Sequence, residues 1–118
     1  MKKKFIYLTL IILTGIFVYG CSSNKAKVTP ETSTPAATVS IENFAFSPAT
    51  VNIKVGQSVT WTNKDTAPHT ATDLAGAFDS GSLATSQTFN FKFNTAGTYT
   101  YHCLIHSMMT NATVVVTN

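Results

Sequence analysis

Phe89-Asn90-Phe91-Lys92-Phe93-Asn94-Thr95-Ala96-Gly97-Thr98-Tyr99-Thr100-Tyr101-His102-Cys103 is the stretch that decides the fold. Phe89, Phe91 and Phe93 alternate with Asn90 and Lys92, so an extended chain here has one aromatic and one polar face. Asn94-Thr95-Ala96-Gly97 is a turn signal. Tyr99, Tyr101 and Cys103 then share one face, with Thr98, Thr100 and His102 on the other. The same period of two recurs on either side. Val39 and Ile41 alternate with Ser40 and Glu42; Val51, Ile53 and Val55 with Asn52 and Lys54; Val59 and Trp61 with Ser58, Thr60 and Thr62. Gly56-Gln57 marks a turn between the last two, and Ala112 to Thr117 closes the chain with three valines. After residue 38 no window carries a helical period. Short strands punctuated every ~8–12 residues argue an all-β sandwich or barrel. The loop-like segment from Lys64 to Gln87 breaks the pattern, and long loops in compact domains are often functional. His69 lies near its start.

The N-terminal third has a different character. Lys2-Lys3-Lys4 precedes an apolar run from Phe5 to Tyr19. Those fifteen residues cover about 22 Å as a helix, short of the ~30 Å hydrocarbon core of a bilayer. Residues 1–20 therefore read as a signal peptide. Val18-Tyr19-Gly20-Cys21-Ser22 resembles the lipobox of bacterial-type lipoproteins, which implies cleavage before Cys21 and lipid on its thiol. Tyr19 departs from the small residue usual at that place, and an uncleaved N-terminal anchor is the alternative. Residues 21–38, rich in Thr, Pro and Ala, have no aromatic residue and one branched apolar one, Val28. They read as a flexible stalk. Residues 39–118 form the working domain, on the extracytoplasmic side of the membrane.

Charge follows the same division. The chain of 118 residues has a formal net charge of +3. The domain from Val39 onward carries three lysines against four acidic residues, so the excess belongs to the signal. A nucleic-acid binder needs a basic patch in its folded part to neutralise phosphates, and this domain has none.

Chemistry is concentrated in Tyr101-His102-Cys103-Leu104-Ile105-His106-Ser107-Met108-Met109. Cys103, His106 and Met109 form C-x2-H-x2-M, and His69 lies upstream in Ala67-Pro68-His69-Thr70. One thiolate, two imidazoles and a thioether select copper, and a His₂Cys set with a weak axial Met suits electron transfer. A short loop between neighbouring strands can turn three side chains to one point, with His69 completing the set from an adjacent loop. His102 leaves the opposite face of its strand from Cys103 and is a non-ligand. A Cys21–Cys103 disulfide is the competing use of the thiol; it would span the stalk and leave nothing for lipid.

These residues resemble the cupredoxins, the type 1 blue copper family, and most closely its amicyanin and plastocyanin branch. The resemblance covers residues 39–118. It includes Asn43-Phe44-Ala45-Phe46-Ser47-Pro48, Val59-Thr60-Trp61-Thr62-Asn63, Pro68-His69-Thr70 and Gly97-Thr98-Tyr99-Thr100-Tyr101-His102-Cys103. It implies a Greek-key β-sandwich of about seven to eight strands. It also implies one copper, with His69, Cys103 and His106 as equatorial ligands and Met109 as the axial one. Ile105 and Ser107 stand where relatives often have proline. Thr70 stands where many have an asparagine that ties the two ligand loops together, and its hydroxyl offers the same link. Met108 is the minor candidate for the axial place.

The implied function is one-electron transfer, not enzymatic turnover, by a monomer held to the membrane through its lipid. Leu104, Ile105, Met108, Ala67 and Pro68 would surround the exposed edge of His106 as an apolar patch where redox partners dock. A copper carrier or buffer is the first alternative, and a non-redox binding sandwich the second. Reductases and multicopper oxidases need further histidines, and only His102 is left over.

Overall fold

The computed structural model describes residues 35–118, which fold as an all-β sandwich of eight strands with no helix among them. The signal, Cys21 and most of the stalk lie outside the described residues. The strands are β1 (Ala37–Glu42), β2 (Ala45–Ser47), β3 (Thr50–Lys54), β4 (Ser58–Asn63), β5 (Thr72–Asp73), β6 (Thr88–Lys92), β7 (Gly97–His102) and β8 (Ala112–Thr117). One sheet has the order β2-β1-β4-β6 and the other β3-β8-β7-β5. The β1/β4 and β3/β8 pairs are parallel, and the remaining neighbours are antiparallel.

The alternating residues do what their period requires. Val39, Ile41, Val59, Trp61, Tyr101, Val114 and Val116 point between the sheets and are buried. Trp61 and Tyr101 are fully enclosed, with ring centroids 5.5 Å apart and planes near perpendicular. Phe93 is buried, whereas Phe89 and Phe91 pack on the edge of the core half-exposed. Burial of apolar side chains at about 1.5–3 kcal/mol each supplies the main driving force for so small a domain. Gly56, at φ 89°, makes the β3–β4 turn in the left-handed region that a glycine enters without strain.

Pairing of β1 with β4 begins at Ala37, opposite Val59. At the far end of that ladder Ile41 pairs with Asn63. The β1–β2 hairpin tip (Asn43, Phe44) and the chain leaving β4 toward His69 therefore emerge at the same end. β7 runs to that end as well: Cys103 follows directly on His102, and Ala112 returns opposite Tyr101. Three connections thus converge at one end of the sandwich. His102 pairs with Thr72 of β5, facing away from Cys103 as the strand alternation requires.

Candidate metal centre

Asn63, at the end of β4, organises the first of these connections. It is fully buried, and its amide donates to Ala67 O and Leu83 O at 2.8 Å each. Its side-chain oxygen accepts the Asp65 N–H at 2.9 Å. The loop is thereby wound tightly enough to present His69, whose backbone exchanges hydrogen bonds with Leu83 at 3.1 and 2.7 Å. His69 belongs to the framework and is wholly buried.

The second connection supplies Cys103 and His106. Cys103 is a free, buried thiol, and His106 is half-buried. Cys103 Sγ lies 3.7 Å from His69 Nδ1 and 3.8 Å from His106 Nδ1, and the two nitrogens are 3.2 Å apart. A point in the plane of this triangle is about 2.1 Å from all three atoms, the bond length of an imidazole nitrogen to a first-row metal ion. Three lone-pair donors turned on one point are what a cation satisfies. His69, Cys103 and His106 are the group among the described residues whose donor atoms converge in this way.

The two methionines part company. Met109 is 5% exposed and belongs to the core cluster beneath the loop, while Met108 is 84% exposed. The Met109 N–H donates to His106 O at 3.1 Å, closing the turn that carries it inward. Leu104 and Ile105 are exposed at 57% and 44%, and Pro68 is exposed beside His69.

Thr70 links the two loops. Its N–H donates to Cys103 Sγ at 3.4 Å, and its hydroxyl oxygen accepts the Leu104 N–H at 2.9 Å. The hydroxyl then passes its own hydrogen toward Thr72 Oγ1 at 3.0 Å, which reaches Asp79 Oδ1 at 3.0 Å. A hydrogen bond to a cysteine sulfur also tunes the metal it would hold.

Two residues at this site were not singled out by their sequence alone. Asp65 Oδ2 accepts the His69 Nε2–H at 2.9 Å, leaving Nδ1 as the lone-pair nitrogen. The same carboxylate accepts the backbone N–H groups of Asn43 and Phe44. The Phe44 amide is the foremost reason that the Asp65 carboxyl is held below its usual range, against the opposing effect of desolvation; the Asn43 amide and the His69 ring add to it. Phe44 itself sets its ring against both histidines. A carboxylate four residues before a candidate ligand is the signal that points to Asp65. Nothing local points to Phe44.

The family model described as a cupredoxin-like domain matches residues 10–116. The chain belongs to the cupredoxin family. This cupredoxin is 29% identical over 120 residues to the amicyanin of Paracoccus denitrificans, covering 92% of each chain. A solved structure of the Cu(I) form of an amicyanin variant superposes with a TM-score of 0.66 at 33% identity, over 74% of this chain and 87% of that one. A copper-containing nitrite reductase from Thermus scotoductus SA-01 superposes at 0.65 and 25% identity, over 71% of this cupredoxin but 22% of the enzyme.

Proposed function

We propose that the protein is a type 1 copper protein that carries one electron at the extracytoplasmic face of a membrane. The observation that carries this reading is the convergence of Cys103 Sγ, His69 Nδ1 and His106 Nδ1 on a single point of metal-bonding radius. His69, Cys103 and His106 would hold the copper ion, with the thioether of buried Met109 as the fourth donor. A bound copper ion supplies the Cu(I)/Cu(II) couple. The chain's own residues hold the geometry: Asn63 winds the first loop, Thr70 ties it to the second, and Asp65 fixes the His69 tautomer. Ligands held this firmly cannot rearrange to favour one oxidation state, which keeps the cost of moving an electron low.

Leu104, Ile105, Met108 and Pro68 form the apolar surface near half-buried His106 on which redox partners dock. Weak redox encounters need little buried area, so a patch of this size suffices. The domain is monomeric, and lipid on Cys21 with a stalk to residue 38 tethers it to the membrane. It is not an enzyme in its own right: the nitrite reductase it resembles is matched over about a fifth of its length. His102, the remaining histidine, is paired into the sheet away from the site.

The test is spectroscopic. Cu(II) added to the purified protein gives an intense blue thiolate charge-transfer band with small hyperfine splitting, and Cys103→Ser abolishes it. A colourless complex refutes the type 1 centre. Copper that exchanges freely with a chelator and is lost on redox cycling would favour the carrier or buffer reading over electron transfer.

A further inference from the structure

The turn between β1 and β2 carries a residue that its shape disfavours. Glu42 pairs with Ala45, so Asn43 and Phe44 make a two-residue hairpin connection. Both are left-handed, at φ 54° and 57°. Such a turn strongly prefers glycine at its second position, and a bulky side chain there is a conformational outlier. Strain of this kind persists where the surroundings over-determine it, and it clusters at functional sites. Core packing does not account for it, because Phe44 is 45% exposed.

Two sets of contacts hold the turn. Asp65 Oδ1 accepts the Asn43 N–H at 2.7 Å and Oδ2 the Phe44 N–H at 2.9 Å. The Phe44 ring then stands at 84° to both imidazoles, with centroids 5.2 Å from His69 and 5.0 Å from His106. The Oδ2 that receives the Phe44 amide also receives the His69 Nε2–H at 2.9 Å. One carboxylate therefore anchors a ligand histidine and the turn that lays an aromatic ring across both histidines.

We infer that Asp65 and Phe44 form a latch that sets the rotation of the two histidine rings before metal binds, making both of them positioning residues for the centre. The inference rests on the copper reading above. His69 is fixed twice, at its outer nitrogen by Asp65 and on its ring by Phe44. His106 sits in a short loop without proline on either side of it, and Phe44 is its aromatic brace. The left-handed strain at Phe44 is then the cost of reaching both rings from a two-residue turn.

The experiment uses the full chain with Phe44→Gly, Phe44→Tyr, Asp65→Ala and the Gly/Ala double variant. Three quantities are read: the melting temperature of the metal-free protein, the NMR shifts of the His69 and His106 ring protons without metal, and the rate of Cu(I) release to a chelator. Glycine is unstrained in this turn, so Phe44→Gly melts no lower than the parent. It nonetheless moves both sets of histidine signals and releases copper about tenfold faster, the scale on which outer contacts control metal affinity. Phe44→Tyr restores parental behaviour. Asp65→Ala speeds release similarly, and the double variant releases no more than about twofold faster than the worse single, because both changes open one latch. Unmoved histidine signals and parental release in Phe44→Gly, at any melting temperature, overturn the latch; so does a double variant whose acceleration is the product of the two singles. If the parent protein takes up no copper, the copper reading fails while the histidine signals still report on the latch.

Discussion

Replacing Tyr101 by phenylalanine should stabilise the domain, and by an amount that grows with alkalinity. Tyr101 lies two residues before Cys103, fully buried, and its hydroxyl has no hydrogen-bond partner among the described residues. The neighbouring Trp61 Nε1 is likewise unpartnered; it pulls weakly on the phenol but does not reach hydrogen-bonding geometry. An unsatisfied buried polar group costs about 1–3 kcal/mol, and the void left by one oxygen returns a few tenths, so Tyr101→Phe gains about 1 kcal/mol at pH 7. For a domain of this size that raises the melting temperature by about 4–8 °C. Burial also pushes the Tyr101 pKa from 10.0 up to about 12. The folded state then keeps a proton that the unfolded chain releases above pH 10, so this contribution to stability is complete below pH 10 and is lost as pH rises toward 12. Two pKa units correspond to about 2.7 kcal/mol in total, of which about 2 has gone by pH 11.5. Urea unfolding of both proteins at pH 7, 10 and 11.5 reads the difference directly, since titrating lysines are common to the pair. The variant's advantage should widen from about 1 to about 3 kcal/mol. An advantage independent of pH would refute the burial argument for the pKa. A loss of a kilocalorie at pH 7 would show that the hydroxyl is partnered after all.

Other substitutions probe the centre itself. Met109→Gln should shift the spectrum and reduction potential of the copper protein far more than Met108→Gln, because one sulfur is buried beneath the loop and the other is 84% exposed; the reverse result would reassign the axial ligand. Thr70→Ser should keep the link to Leu104, whereas Thr70→Val leaves that N–H unpaired and should lower stability by about 1–2 kcal/mol in denaturant titration, with a shifted charge-transfer band. Equal behaviour of the two would show that the hydroxyl does not join the loops. Asn63→Ala removes three buried or half-buried hydrogen bonds and should cost about 3 kcal/mol by thermal unfolding of the metal-free protein. A loss under 1 kcal/mol would mean that the His69 loop holds its shape without this side chain.

The sandwich was legible wherever side chains alternate over five or six residues. β4, β6, β7 and β8 announce themselves through Trp61, the Phe89–Phe91–Phe93 stripe, Tyr99–Tyr101 and the valines, because one face of each must be apolar to meet the other sheet. β2 and β5 were not announced, being three and two residues long. A strand that short has no period to display, and its existence depends on the neighbour it pairs with. The β1–β2 hairpin had a further disguise: the glycine that would signal its turn is replaced by Phe44.

The metal centre divides along the same physical line. Cys103, His106 and Met109 are legible because a single short loop must deliver all three, so their spacing in sequence is their spacing in space. Thr70 is legible because it adjoins a ligand. Asp65 and Phe44 are harder to read, since the contact that matters joins segments 21 residues apart and is made by backbone amides any residue could supply. What a sequence shows of such a centre is therefore the donor set, which chemistry restricts to a few residue types. What holds the donors still is written in turns and hydrogen bonds that many sequences could make, and it becomes visible only as strain or as a carboxylate serving two masters. At this end of the sandwich both signs meet in one place: the left-handed Phe44 and the Asp65 oxygen it shares with His69.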